Sequence, residues 1–205
     1  TTTRRQRQMC IRDSNIFDQP GAKTNPRMIG RGSAVWNWYS VNTIIQYNQA
    51  TSIRGILDSH GIHVDHHNEN TFIQYNYMED CEGGFVEILG DNETAVYRFN
   101  ISVNDGWREN PNWVNSNHTI WLSNTIGGEA GHESNNSFIY NNTVVVNRSS
   151  NPYRTAIDIR ANNTRIFNNI FYSINGSKIG GKQVRVEDDN IIVTNNLFHG
   201  NVDVR

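Results

Sequence analysis

Apolar and polar residues alternate in short runs along most of this chain, and the runs recur. A first alternating segment, GIHVDHH at 61–67, leads through a turn to a second, NTFIQYN at 70–76. A short third segment, YMED at 77–80, precedes GFVEILG at 84–90, where the next copy begins. Aligned on their last Asn, the second segments read NTIIQYN (42–48), NTFIQYN (70–76), TAVYRFN (94–100), NSFIYNN (136–142), NTRIFNN (163–169) and NIIVTNN (190–196). Asn48, Asn76, Asn100, Asn142, Asn169 and Asn196 fill one column. Three positions earlier stand Ile45, Ile73, Tyr97, Ile139, Ile166 and Val193. Alternation of period two with one apolar face predicts strands. An internal period in the twenties built from short strands predicts a solenoid.

The first segments align as AVWNWYS (34–40), GIHVDHH (61–67), GFVEILG (84–90), HTIWLSN (118–124), TAIDIRA (155–161) and QVRVEDD (183–189). Ile62/Val64, Val86/Ile88, Ile120/Leu122, Ile157/Ile159 and Val184/Val186 are the predicted inward pairs. Each copy then buries a layer of branched aliphatics on its neighbour, which no copy achieves alone. The Asn column is expected at a tight corner, because Asn tolerates the left-handed conformation. Stacked at about 4.8 Å, the amides are expected to bond along the axis as a ladder.

Three stretches break the period: 104–117, 124–135 and 147–154. Insertions in solenoids map to loops, often on the binding face. Residues 15–33 carry Pro and Gly with little alternation and read as irregular loop. Residues 1–14 do not match the repeat, and Met9–Asp13 resembles the translated end of a sequencing adapter. The expectation is that 1–14 are adapter-derived or disordered, that 15–205 form a single N-terminally truncated domain, and that the segment holding Trp36 is its exposed end.

The N-[TS]-x-I-x-[YFN]-N unit over residues 34–200 resembles the right-handed parallel β-helix family, the pectate-lyase-like solenoids. The resemblance implies an all-β, right-handed parallel β-helix (solenoid) of about six coils. That family includes polysaccharide lyases, glycoside hydrolases, epimerases, tailspikes and adhesins, so the fold does not fix the function. Its familiar lyase and hydrolase signatures are absent from this chain.

Composition narrows the classes. The chain has 205 residues, the size of one domain. A net charge of −2 offers no basic surface for nucleic acid. No apolar run approaches the roughly 18 residues of a membrane span. Two Cys, Cys10 and Cys81, do not suggest a disulfide framework. Lys occurs only at 23, 178 and 182, which turns attention to His and Arg for acid–base and carboxylate-binding roles.

On the outward face the first segments place His63 with Glu87 in one column. A second column is read as Asn37, Asp65, Leu89, Trp121, Asp158 and Arg185, and a third as Tyr39, His67, Asp91, Ser123, Arg160 and Glu187. Asp158 beside Arg185, and Arg160 beside Glu187, read as cross-strand ion pairs on a solvated face. His63, Asp65, His66, His67 and Glu69 crowd one stretch near Glu87. They suit acid–base chemistry. They also suit a metal, with Ca²⁺ for the carboxylates and a transition metal for the imidazoles, although no zinc motif is present. The structural alternative is that these His mark strand ends and a turn.

Trp107, Arg108 and Trp113 lie in the first insertion, with Trp121 just beyond it. Aromatic rings stack on sugar faces, and Arg grips carboxylates. The alternative is that the insertion Trp residues pack the loop down. His132, between Glu129 and Glu133, is placed to close over the same site.

The resulting expectation is a secreted or cell-surface, monomeric protein acting on an acidic, uronate-containing polysaccharide. As a lyase it would use Arg98 or Arg108 to neutralise the carboxylate and His63 or His132 as base. As a hydrolase it would use Asp65 with Glu87. The alternative is a non-catalytic polysaccharide-binding or adhesin module.

Overall fold

The second segments build one sheet. Val41–Gln46, Glu69–Gln74, Glu93–Arg98, Ser134–Tyr140, Arg165–Phe167 and Ile192–Thr194 lie side by side, every pair parallel. The third segments build another, from Gln49–Thr51, Tyr77–Glu79, Ile101–Val103, Thr143–Asn147, Ile170–Ile174 and Leu197–His199. The first segments build the third sheet, from Val35–Asn37, Ile62–Val64, Gly84–Ile88, His118–Leu122 and Arg154–Ile159, continued by Lys178–Gly180 and Val202–Asp203. The chain visits the three sheets in rotation. This computed structural model describes residues 10–18, 32–55, 58–108, 118–148, 154–180, 185–186 and 190–204. Among them there is no helix, and the one antiparallel pair is the hairpin Thr125–Ile126/Glu129–Ala130 inside the second insertion. The fold is all-β, built from stacked parallel sheets, an arrangement consistent with a β-helix-like solenoid.

The core lies where the inward faces meet. Ile62, Val64, Val86, Ile88, Ile120, Leu122, Ile157 and Ile159 are all buried there, against Ile45, Ile73, Tyr97 and Ile139 of the second-segment sheet. Tyr97 is the one polar side chain in that row. Its hydroxyl donates toward the carbonyls of Ile62 (3.0 Å) and Glu87 (3.1 Å), so it braces two strands of the first-segment sheet from inside.

The Asn column forms the expected ladder. Each Asn Nδ2 donates to the Oδ1 of the next: Asn48 to Asn76, Asn76 to Asn100, Asn100 to Asn142, and Asn142 to Asn169, at 3.0 Å each. Asn169 donates to Asn196 at 2.9 Å. Asn15 starts the row by donating to Asn48 at 2.9 Å. The reason given for the column needs correction. The left-handed residue at this corner is the one before the ladder Asn: Tyr47, Tyr75 and Phe99 in the early copies, then Asn141, Asn168 and Asn195. The ladder Asn is selected for its amide, which satisfies buried backbone groups on both neighbouring copies. Its neighbour takes the strained turn, and in the early copies an aromatic stack runs up that line (Tyr47–Tyr75 at 5.2 Å, Tyr75–Phe99 at 5.1 Å).

A second amide row was not read from the sequence. Asn68 Oδ1 accepts from the Ser40 amide and hydroxyl, Asn92 Oδ1 accepts from the Asn68 amide and Nδ2, and Ser134 Oγ accepts from the Asn92 amide. It marks the corner between the first and second segments.

The N-terminal expectation is also corrected. Cys10–Asp13 is a strand rather than disordered chain. It runs parallel to Val41–Gln46, with Cys10 opposite Thr43 and Asp13 opposite Gln46. Ile16–Asp18 pairs in the same way with Gln49–Thr51. Any chain segment able to adopt an extended conformation can satisfy the open backbone edge of a parallel sheet, whatever its side chains. Residues 1–9 lie outside the described residues.

Candidate functional site

The first-segment sheet is buried on both faces where Gly84–Ile88 crosses it. Two chain segments, 58–60 and 105–108, pair by their backbones with the residues that lead into this strand, at Gly83–Gly84 and at Cys81–Glu82. Gly83 and Gly84 make the first approach possible. A Cβ at Gly83 would overlap the Asp58 carbonyl and the His60 amide, and a Cβ at Gly84, where φ is +134°, would overlap the His118 carbonyl. Gly106 at φ +81° passes the same His118 carbonyl. The Gly83 amide donates to the Ser59 carbonyl, and the Gly106 amide to the Cys81 carbonyl. Arg108 ties the two segments together by donating to the Asp58 carbonyl.

Next to these segments the titratable groups converge. The backbone register sets Trp36 opposite His63, and Glu87 opposite Trp121, which in turn faces Asp158. With Val64 opposite Ile88, His63 and Glu87 are in line as the sequence suggested. Glu87 is 0 % exposed, His63 1 % and His60 2 %. Both imidazoles approach one carboxylate oxygen: His60 Nδ1 lies 2.6 Å from Glu87 Oε2, and His63 Nδ1 3.1 Å from it. Neither approach has the in-line geometry of a hydrogen bond. Trp121 roofs the cluster, stacked on His118 at 5.2 Å and on His60 at 6.5 Å.

Burial dominates the electrostatics. It pushes the Glu87 carboxyl up to about 7, with Asp65 adding to the rise and the charges of His63 and Arg108 opposing it. Burial, with Arg108 beside it, pushes His60 down to about 3. Arg108 is itself lowered by burial, against the pull of Glu82, Glu87 and Asp58. The site thus holds a carboxyl able to exist in either protonation state near neutrality, next to a neutral imidazole and a guanidinium.

Several sequence expectations change. Trp121 and Asp158 belong to the His63/Glu87 column, while Asn37 points inward opposite Val64 and bonds Ser40 and Thr71. Aligning the inward aliphatics gives this register directly; the outward reading had slipped by one residue at Asn37, which in a strand exchanges the two faces, and by two at Trp121 and Asp158, which keeps the face and changes the column. Asp65 lies past the strand end and caps a turn, accepting from the His66 amide at 2.8 Å with the His66 ring at 3.5 Å. Asp158 does face Arg185 along the backbone, but its carboxylate takes two bonds from Arg160, at 3.1 and 3.0 Å, just past the end of its own strand. Glu187, expected beside Arg160, lies outside the described residues.

Arg98 is not at the site. It sits on the outer face of the second-segment sheet, bonded to Gln74 and Tyr140. His132 does not close over the cluster either: its Nδ1 lies 3.0 Å from Asp91, whose carboxylate also receives His67 at 3.4 Å. Trp107 packs the insertion down, with the guanidiniums of Arg54 and Arg148 over its ring at 4.8 and 4.6 Å; both of these arginines also pair with Asp80. Trp113 lies outside the described residues.

Sequence reasoning missed Asp58 and His60 as members of the cluster. The available signal was the Gly83–Gly84 pair, which in a strand pattern marks close backbone approach. It also missed Trp36 and Trp38, which are 44 % and 63 % exposed beside His63 and Tyr39. Among the described residues no helix is long and apolar enough to cross a membrane. The chain matches no protein-family model, no curated protein and no solved structure with which it was compared.

Proposed function

We propose that the chain is a right-handed parallel β-helix of about six coils, similar to the pectate-lyase-like solenoids, and that it cleaves an acidic polysaccharide by β-elimination outside the cell or at its surface. The observation that carries this reading is the approach of His63 to the buried Glu87 carboxyl, with the charge of Arg108 acting on the same group. In this scheme Arg108 neutralises the uronate carboxylate and His63 removes the proton at C5. The C–H electron pair forms the C4–C5 double bond, the C4–O bond breaks, and protonated Glu87 gives its proton to the departing oxygen. Elimination is favoured over hydrolysis because Asp65, the second carboxylate a hydrolase would need, is committed to the His66 turn.

The test is incubation with pectic, alginate-type and glycosaminoglycan-type uronate polymers, read by the ultraviolet absorbance of an unsaturated product. Glu87→Gln and His63→Ala are each expected to abolish turnover while circular dichroism stays unchanged. Reducing sugar without an unsaturated product would replace elimination by hydrolysis.

A second reading is a binding module without turnover. The depth of Glu87 and the exposure of Trp36, Trp38 and Tyr39 favour it. It expects affinity for the same polymers that falls in Trp36→Ala and Trp38→Ala, with no product under any condition.

A further inference from the structure

We propose that Asp58, His63 and Glu87 form a binding site for a divalent first-row transition-metal ion of the Zn²⁺ class, with His60 as a second imidazole at the Glu87 oxygen. The inference shares side chains with the activity proposed above but does not require turnover. One donor atom from each of Asp58, His63 and Glu87 lies within 4.8 Å of the others. Ligands around a tetrahedral Zn²⁺ at ordinary bond lengths stand about 3.4 Å apart, so the group needs only a small contraction. The His63–Glu87 separation, 3.1 Å, already lies close to that spacing, while His60 Nδ1, at 2.6 Å from the same oxygen, would have to draw back to join as a further ligand.

Three features separate this cluster from an ordinary ion-pair network. Glu87 is wholly buried, yet neither of its oxygens has a hydrogen-bond partner. A buried carboxylate without donors is costly and calls for a counter-charge. The His60 and His63 Nδ1 atoms face the same oxygen out of line for a shared proton, as donors to a common third atom would. The backbone is also built to bring the donors together: Gly83 and Gly84 admit segment 58–60, and Arg108 clamps the Asp58 carbonyl.

The donor chemistry selects the ion. Imidazole with carboxylate suits Zn²⁺ and its neighbours, whereas Ca²⁺ takes six to eight oxygens. Ca²⁺, the ion that the carboxylates of this stretch suit by themselves, therefore does not fit here. The other His–Asp cluster, Asp91 with His67 and His132, is half-exposed, and its His132 Nδ1 already has Asp91 at hydrogen-bond distance.

The experiment titrates the chelator-stripped 205-residue chain with Co²⁺ as a spectroscopic probe and with Zn²⁺ by calorimetry, without polysaccharide. A single equivalent is expected, with the visible Co²⁺ bands of a low-symmetry nitrogen–oxygen site and a rise in melting temperature on Zn²⁺ addition. Glu87→Gln and His63→Gln should weaken binding at least tenfold. Asp58→Asn, at a half-buried position, repeats the test where folding is least at risk, and circular dichroism checks every variant. His132→Gln should leave binding unchanged, and excess Ca²⁺ should not displace Co²⁺.

No binding by the folded wild type, loss in His132→Gln with retention in His63→Gln, or displacement by Ca²⁺ would each overturn the assignment. Binding without turnover would retain the metal site and remove the lyase reading; turnover by metal-free protein with no binding would do the reverse.

Discussion

Asp105 shows how one side chain can set a pH response far from any chemistry. It accepts from the Cys81 amide at 2.8 Å and the Ser102 hydroxyl at 2.6 Å, filling at its own corner the place that Asn68 and Asn92 fill at another. Burial pushes its carboxyl from the ordinary 3.8 to about 7, against those two hydrogen bonds. Between these values the folded chain holds a proton that the unfolded chain has lost. Stability should therefore fall as pH rises through that interval and level off above it. Asp105→Asn should remove its share of this slope and raise the melting temperature at pH values above about 7. Parallel melting curves of the two proteins across the interval check this; equal slopes would show that Asp105 stays ionised in the fold. The same scale shows what a sequence hides. Burial turns Asp105 and Glu87 into groups titrating near neutrality, and burial depends on what covers them. Asp58, His60 and Arg108 come from irregular segments without periodicity, so nothing in the pattern placed them over Glu87.

At the scale of the element, the repeat was largely legible. Three segments per copy, their inward aliphatics and the ladder column all follow from alternation and alignment, because a strand's side chains obey a strict period of two. Asn142 holds its rung although insertions flank its copy. Where reading failed, the cause was local. A two-residue slip moved Trp121 and Asp158 into the wrong column, and the second row, Ser40–Asn68–Asn92–Ser134, mixes residue types and so leaves no column of identical letters. The rungs are predicted to matter unequally. Asn76 donates to the Ile45 and Gln74 carbonyls and to Asn100, and accepts from the Asn48 amide and side chain. Asn76→Ala should cost about 3 kcal/mol, because several buried groups lose partners together. Asn196→Ala, on a half-buried final rung, should cost about 1 kcal/mol. Urea denaturation measures both, and equal costs would mean that the rungs contribute through local turn geometry alone.

For the whole molecule, stacked copies that touch mainly their neighbours give a stability that varies along the stack. Strands 62–103 lie between filled layers, whereas Ile192, Val193, Leu197 and Phe198 on the last strands are exposed. Hydrogen exchange should be slowest for the strand amides of 69–98 and fastest for 192–204, falling off copy by copy. Uniform exchange would instead mean that the stack opens as one unit. A graded stack also places the candidate site well, since Glu87, His63 and the segments paired beside them sit on its best-supported copies.

The ladder also has a polarity. At every rung from Asn15 to Asn169 the N–H belongs to the earlier copy and the oxygen to the later one. The side-chain amide dipoles therefore all point the same way and add, as peptide dipoles do along a helix, and each bond polarises the next. The row carries its negative end at the Asn15 oxygen and its positive end at the Asn196 amide. Two copies of this chain meeting at these termini could extend the row only head to tail, since a head-to-head meeting would set oxygen against oxygen.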